Sequence, residues 1–194
     1  YYSPVYEDFS KAINELDLDL IRDSLIESTK KRLMSDAPIG VLLSGGLDSS
    51  LTSAIASRLL AEKGEKLHSF SIGLDAEAPD AKAARKVAEF IGTEHHEIHF
   101  TIEQGIEILD KLIWHLETYD VTSIRASTPM YFLSKAISEK GIKVVLSGEG
   151  ADEIFGSYLT HRLAYEKEVA NKSAGSHLVS DLAWRQANFV FTDD

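Results

Sequence analysis

Apolar positions along this chain switch repeatedly between a helical period and short continuous runs. From Asp17 a helical repeat places Leu18, Ile21, Leu25, Thr29 and Leu33 on one face, with Asp17 or Asp19 available as its cap. Ala37-Pro38 stops that helix, because the residue before a proline is pushed out of the helical region. Gly40–Ser44 then reads as a short buried strand, and a second helix follows at once with Leu51, Ala54, Ile55 and Leu59 on one face and Gly64 at its end. Leu67–Ile72 is the second predicted strand, and residues 79–92 are a helix opened by Pro79 and Asp80 and closed by Gly92. Glu94–Phe100 is the third strand. Residues 102–117 are a helix with Ile106, Leu109, Ile113 and Leu116 inward, Thr118–Ser127 is a polar loop, and a helix runs from Pro129 to Lys140. The fourth strand, Ile142–Ser147, is short, apolar and β-branched, which predicts a central place in the sheet.

Strands alternating with helices define a doubly wound α/β domain, a parallel sheet with helices on both faces. This domain is expected over residues 17–158, after an opening segment, 1–16, of scattered aromatics and before a helical C-terminal remnant, 159–194, read as discontinuous. In such sheets ligands sit beyond the carboxyl ends of the strands, and both Ser44-Gly45-Gly46 and Ser147-Gly148-Glu149-Gly150 fall there.

Composition narrows the chemistry. With 194 residues, 44% hydrophobic and 26% charged, the chain has the make-up of a globular domain with a sizeable core. A net charge of −11 argues against a general nucleic-acid surface, which needs clustered Lys and Arg. There is no cysteine, so a disulfide scaffold, a thiolate metal site and a cysteine nucleophile in this chain are excluded. No run of 18 apolar residues suits a membrane span and no signal peptide is visible, so the cytoplasm is the expected location. The chain begins at Tyr1 rather than Met and is read as a piece of something longer.

The stretch Leu43-Ser44-Gly45-Gly46-Leu47-Asp48-Ser49-Ser50 carries the sharpest chemical signal. A strand that turns through two glycines into a helix gathers backbone N–H groups and the positive end of a helix dipole at one point, an arrangement suited to phosphate or pyrophosphate. Glycine lets the backbone come close to the anion, and Ser44, Ser49 and Ser50 add hydroxyls. Asp48 would repel a phosphate unless a cation lay between them, and it is therefore read as a Mg²⁺ ligand. The Gly-Lys-Ser/Thr ending of a Walker A loop is absent. The second loop brings Glu149, Asp152 and Glu153 to the same edge; by itself it reads as an acidic helix start, and with Asp48 across the edge it suggests two carboxylates sharing Mg²⁺.

The histidine-rich third strand invites a metal reading of its own. Alternation sends His95, Glu97 and His99 to one face and His96 and Ile98 to the other. The first set could bind a metal; the preferred reading, with no second ligand cluster nearby in sequence, is the polar face of an edge strand.

The run Ser44–Ser50 resembles the pyrophosphate-binding loop of the ATP pyrophosphatases, or PP-loop proteins. Together with Thr118–Tyr131 and Val145–Glu153 it is similar to the synthetase domain of glutamine-hydrolysing asparagine synthetase, and Lys82 and His95-His96-Glu97-Ile98 fit the same pattern, over about residues 20–158. The resemblance implies an adenine nucleotide alpha hydrolase-like fold and an AMP-forming ligase. ATP's adenine would lie near Leu43, Ile72, Ser147 and Gly148, its pyrophosphate on Ser44 to Ser50, and Mg²⁺ on Asp48 and Asp152. Thr122 and Arg125 would line the reaction centre, and Glu149 would be the general base for ammonia. The β-carboxylate of L-aspartate would attack the α-phosphorus, giving β-aspartyl-AMP and pyrophosphate, and ammonia would displace AMP.

The family's N-terminal glutaminase domain is absent from this chain, which implies ammonia rather than glutamine as its direct nitrogen source. The partner expectations are a glutaminase domain in the full-length protein and a homodimer, with no nucleic acid and no membrane. The resemblance fades after Tyr158. Leu182-Ala183-Trp184-Arg185-Gln186 is similar to a later family segment in which a catalytic lysine follows, but Ala187 stands here; either the lysine is lost or distant pieces are joined, and omission is the reading taken. The alternatives kept open are another amide-forming or β-lactam-type synthetase, and a nucleotide-binding relative without turnover.

Overall fold

The computed structural model describes residues 17–161 and 163. Expectations for 1–16, for most of 159–194 and for Ala187 lie outside the described residues. The chain divides into two compact units, Ile21–Glu149 and a second made of Tyr1–Leu20 with Gly150–Asp194. Among the described residues, no helix is long and apolar enough to cross a membrane.

The larger unit is built on a four-stranded sheet of order β3-β2-β1-β4, comprising β1 (Ile39–Leu42), β2 (His68–Gly73), β3 (Glu94–His99) and β4 (Val144–Leu146), and every pairing is parallel. Parallel neighbours need crossover connections, and the chain supplies them as helices. α1 (Leu18–Arg32) precedes β1 and is capped by Asp17, whose Oδ1 accepts from the Leu20 N–H at 2.9 Å. α2 (Leu47–Ala61) joins β1 to β2, and α3 (Pro79–Ile91) joins β2 to β3, ending on the left-handed Gly92. α4 (Ile102–Glu107), α5 (Leu109–Leu116) and α6 (Val121–Glu139) return the chain across the sheet to β4. In the second unit α7 (Ala151–Phe155) is a single short helix, with Ser157 donating to the Asp152 carboxylate and Tyr158 to Glu153 at 3.1 Å.

Side-chain alternation sorts the core into two layers. Ile39 and Val41 of β1 pack with Leu33, Ala56 and Leu60 on one face, where Leu43 joins Ala84 and Ala88 of α3. On the other face Phe70 packs with Leu133 and Ile137 of α6 and with Ile142. The two layers confirm the doubly wound α/β architecture with helices on both faces.

Several expected details are corrected. The single helix over 102–117 is two: the chain bends at Ile108, and the buried positions are Gly105 and Leu112, while Ile106 and Leu116 are exposed. Gly105 is buried beside Thr128 and Phe100, which a Cβ there would meet at ordinary contact distances of 3.4 and 3.5 Å. The polar loop 118–127 is largely the start of α6, because the Asp120 carboxylate accepts from the Ser123 N–H at 2.6 Å and caps the helix well before Pro129. On α2 the buried stripe is Ser53, Ala56 and Leu60, not the face of Leu51, which is exposed. Small residues let α2 approach closely, and Ser57 donates to the Ile91 carbonyl at the end of α3 at 3.0 Å. β4 stands at the end of the described sheet rather than in its middle. Its apolar pattern reports the packing of Val144 and Leu146 on one covered face; Val145 on the other is exposed.

Ser53 is fully buried, and its Oγ has no hydrogen-bond partner among the described residues. A buried hydroxyl left unpaired is unfavourable by about 1–3 kcal/mol. Ser53→Ala is therefore expected to stabilise the protein by about 1 kcal/mol, raising the thermal midpoint by a few degrees; a lower midpoint would show that the hydroxyl is satisfied.

Candidate functional site

The sheet reverses direction of growth at β1: β2 and β3 lie on one side of it and β4 on the other. At such a switch point the loops leaving the two strands diverge to opposite faces and open a crevice. The loops leaving β1 and β4 are Leu43–Gly46 and Ser147–Gly150.

The first loop is tied to itself by serine. Ser44 Oγ and Ser49 Oγ are 2.9 Å apart, Ser49 Oγ accepts from the Ser44 N–H at 3.2 Å, and Ser50 Oγ donates to the Gly46 carbonyl at 2.6 Å. Gly45 has φ +82°, and a Cβ there would stand 2.5 Å from the Ala84 backbone nitrogen, so the loop is pressed against the first half of α3. Gly46 is the cap residue of α2 and offers no side chain to its first turn. The Ser50 N–H reaches the Gly46 carbonyl, so the N–H groups of Leu47, Asp48 and Ser49 are the ones without an intrahelical acceptor. A long helix with an uncapped start presents partial positive charge where Ser44, Ser49 and Ser50 gather their hydroxyls.

The second loop reaches the first. A Cβ on Gly148 would lie 2.8 Å from the Asp48 carbonyl carbon and 2.8 Å from the Ser49 nitrogen. Gly148 therefore touches the first turn of α2, and Ser147 Oγ accepts from the Glu149 N–H at 3.3 Å. The structure thus brings together Ser44 to Ser50 with Ser147, Gly148 and the start of Glu149. Leu43 is also at this edge, but its side chain is fully buried against Ala84 and Ala88, leaving its backbone as the part that faces the crevice end of β1. Ile72 packs into the opposite layer with Phe70 and Leu133. Asp152 belongs to the second unit and accepts from Ser157 there.

Thr122 and Arg125 are exposed on the first turns of α6, three residues apart and so on one helix face. Arg125 lines a cavity of about 270 Å³ with Leu74, Phe100, Ile106, Thr128 and Pro129. Leu74 and Phe100 directly follow β2 and β3, so this cavity also lies at the carboxyl end of the sheet. Backbone donation from Ser123 holds the Asp120 carboxyl below its ordinary range, which keeps the cap charged and the start of α6 in place. Sequence reasoning missed this cap; Asp120 directly before Val121 and Ile124 was its signal.

The histidine strand resolves by face. His95 sits on Ser69 and Ser71, at 2.8 and 3.2 Å, and Glu97 takes a two-pronged ion pair from Arg85 at 2.7 and 2.8 Å. The Arg85 hydrogen bond lowers the Glu97 pKa, and burial lowers that of His95. The face of His95 and Glu97 is thus a polar packing face of an edge strand, as preferred from sequence.

A switch-point crevice flanked by two glycine loops on a β3-β2-β1-β4 parallel sheet defines a doubly wound α/β protein. The chain belongs to the asparagine synthase family, whose family model matches residues 20–190. It is 49% identical over 191 residues to asparagine synthetase [glutamine-hydrolyzing] 2 of Oryza sativa subsp. japonica, covering 92% of this chain and 32% of that protein. It is likewise 49% identical over 177 residues to asparagine synthetase [glutamine-hydrolyzing] 3 of Arabidopsis thaliana, covering 87% and 30%. The chain therefore spans about a third of the length of these relatives. In fold it is similar to an NH3-dependent NAD synthetase from Campylobacter jejuni, with TM-score 0.54, 16% identity and coverage of 91% of this chain and 96% of that one. It is also similar to the U34-tRNA thiolase NcsA from Methanococcus maripaludis, with TM-score 0.51, 17% identity and coverage of 89% and 57%.

Two glycines separate conformational strain from close packing. Gly45→Ala adds a Cβ against backbone at a left-handed residue, whereas Gly64, at φ +76°, has open space around it. Gly45→Ala is expected to lower stability by on the order of 3 kcal/mol and Gly64→Ala by about 1 kcal/mol, measured by urea unfolding. Equal losses would show that the loop is not pressed on α3.

Proposed function

We propose that this chain carries the ATP-dependent step of asparagine synthesis, activating the L-aspartate side chain as β-aspartyl-AMP, releasing pyrophosphate, and passing the acyl group to ammonia with release of AMP. The observation that carries the reading is the contact of Gly148 with Asp48 and Ser49, which closes two loops on the uncapped start of α2. Membership of the asparagine synthase family supports the choice of substrate.

The pyrophosphate portion of ATP is read onto the N–H groups of Leu47, Asp48 and Ser49 and the hydroxyls of Ser44, Ser49 and Ser50, with the adenine end toward Leu43, Ile72, Ser147 and Gly148. The donors are fixed before the substrate arrives, so they stabilise charge that grows on the leaving pyrophosphate without reorganising. Mg²⁺ suits the donor chemistry at Asp48, a partly buried carboxylate in a turn of otherwise positive potential, and Asp152 is retained as a second ligand on the strength of the family motif. When bound, the ion would neutralise phosphate charge.

Arg125 is assigned to the aspartate side, facing the charge that develops as the carboxylate meets the α-phosphorus, and Thr122 lies on the same helix face. Aspartate and ATP held in line convert a bimolecular reaction into a local one, which removes the cost of bringing them together. Glu149, next to Gly148, is the general base: it takes a proton from the attacking ammonia as the carbon–nitrogen bond forms and the bond to AMP breaks. Ammonia in the complete protein is read as coming from a glutaminase domain, and the working location as the cytoplasm.

The test is pyrophosphate release from Mg·ATP by the purified protein with L-aspartate, with and without ammonium. Release that depends on aspartate, with asparagine formed on adding ammonium, is the expected result; release indifferent to aspartate would overturn the reading. Glu149→Gln is expected to lower asparagine formation by about 10²–10⁴-fold while sparing aspartate-dependent pyrophosphate release, and Asp48→Asn is expected to depress both. A Glu149→Gln protein that forms asparagine at the parent rate would remove Glu149 from its role.

A further inference from the structure

His95 and Glu97 on one face of β3 are absorbed by packing, but a different set converges across two strands. His68 of β2 and Glu94 of β3 are lateral partners in the parallel ladder, and His96 follows Glu94 by two residues, so all three share the face that carries Phe70. His68 Nδ1 and His96 Nε2 are 3.1 Å apart, and Glu94 Oε1 lies 3.6 Å from each. Side-chain exposure is 32% for His68, 14% for His96 and 51% for Glu94, a site open on its carboxylate side.

A hydrogen bond accounts for the two imidazoles alone. It does not account for the carboxylate oxygen, which is too far from either nitrogen to accept a hydrogen bond yet equidistant from both. Bond lengths of about 2.0–2.2 Å at a tetrahedral Zn²⁺ place neighbouring ligand atoms about 3.3–3.5 Å apart. The observed triangle, with edges of 3.1, 3.6 and 3.6 Å, has the dimensions of one face of such a tetrahedron.

Both rings are held before any ion arrives. His96 lies against Phe70 at 4.9 Å between ring centroids and stacks on His68 at 5.4 Å and 15°. Two imidazoles and one carboxylate are also the donor set that Zn²⁺ prefers when a fourth position is left to water. Burial, reinforced by the Lys140 charge, disfavours a protonated His96.

The geometry points to a Zn²⁺-binding site formed by His68, Glu94 and His96. It sits at the amino ends of β2 and β3, at the opposite edge of the sheet from the glycine loops, so it stands apart from the ligase reading and does not depend on it. Its effect would be to pin the edge strand β3 to β2.

The experiment titrates the purified protein with Zn²⁺ against a chromophoric chelator, records the visible spectrum with Co²⁺ in place of Zn²⁺, and follows the thermal midpoint. Expected are one ion per chain at this site, a tetrahedral Co²⁺ spectrum and a midpoint that rises with Zn²⁺. His96→Ala is expected to weaken binding by more than about a hundredfold, since loss of a supporting partner alone weakens a site ten- to a hundredfold. Glu94→Gln, a half-exposed change that leaves ring packing intact, keeps the test valid if His96→Ala unfolds, and should weaken binding at least about tenfold. Binding that is unchanged in Glu94→Gln and His68→Gln, or no binding below millimolar Zn²⁺, would overturn the site.

Discussion

The constraint on which the rest of this structure depends is close backbone contact at the carboxyl edge of the sheet. Gly148 lies against the backbone of Asp48 and Ser49, and Gly45 lies against the backbone of Ala83 and Ala84. At neither place is there room for a Cβ, and the neighbour in each case is main chain rather than a side chain that could swing away. The start of α2 is thereby held from two sides, by the loop after β4 and by α3. The hydrophobic layers beneath are ordinary in kind; what they achieve is to set β1 and β4 side by side so that these loops meet.

The position of α2 follows from that contact. A bulky stripe would lift the helix off the sheet, and its buried residues are Ser53, Ala56 and Leu60, with the large residue only at the far end. The free N–H groups lie at the N-terminal end of that helix, beside the loop contact. The same economy of side chains appears at Gly46, a cap residue that supplies no competing acceptor, so those N–H groups stay available. The loop serines bond to one another and to the loop carbonyls, which gives the turn its shape while leaving the helix start open.

Much of this was legible in sequence because it is written in residues with few conformational options. Alternating strand and helix periods give the doubly wound class, and a Ser-Gly-Gly turn between a buried run and a helix marks the crevice. Fine placement was less legible. The break between α4 and α5 falls at Ile108, an apolar residue that the helical pattern runs straight through. Pro129 reads as a helix start, yet it lies inside α6, because the Asp120 cap upstream fixes the first turn before the proline is reached. The lateral place of β4 could not be read from its apolar pattern, which reports face burial and not neighbours. For the candidate site, the pattern located the two loops, whereas the meeting of Gly148 with Asp48 is a contact between residues a hundred positions apart and needs the fold.

The histidines show the same division between pattern and register. Period-two alternation within β3 correctly separates His95, Glu97 and His99 from His96, and in the first group His95 is occupied by Ser69 and Ser71 and Glu97 by Arg85. Alternation within one strand is silent about the strand beside it. Only the register that pairs His68 with Glu94 shows that His96 has a second imidazole and a carboxylate within reach. A parallel ladder fixes that register through the whole length of β2 and β3, so the triangle is a consequence of pairing the two strands to bury Phe70, Ile72 and Ile98 on the α6 face. Slipping β3 by one residue would send Ile98 to the wrong face together with Glu94 and His96, away from Phe70, Ile72 and His68 on β2. The polar cluster is therefore held in place by the hydrophobic layer it borders, in the way that the glycine loops are held by the layers beneath them.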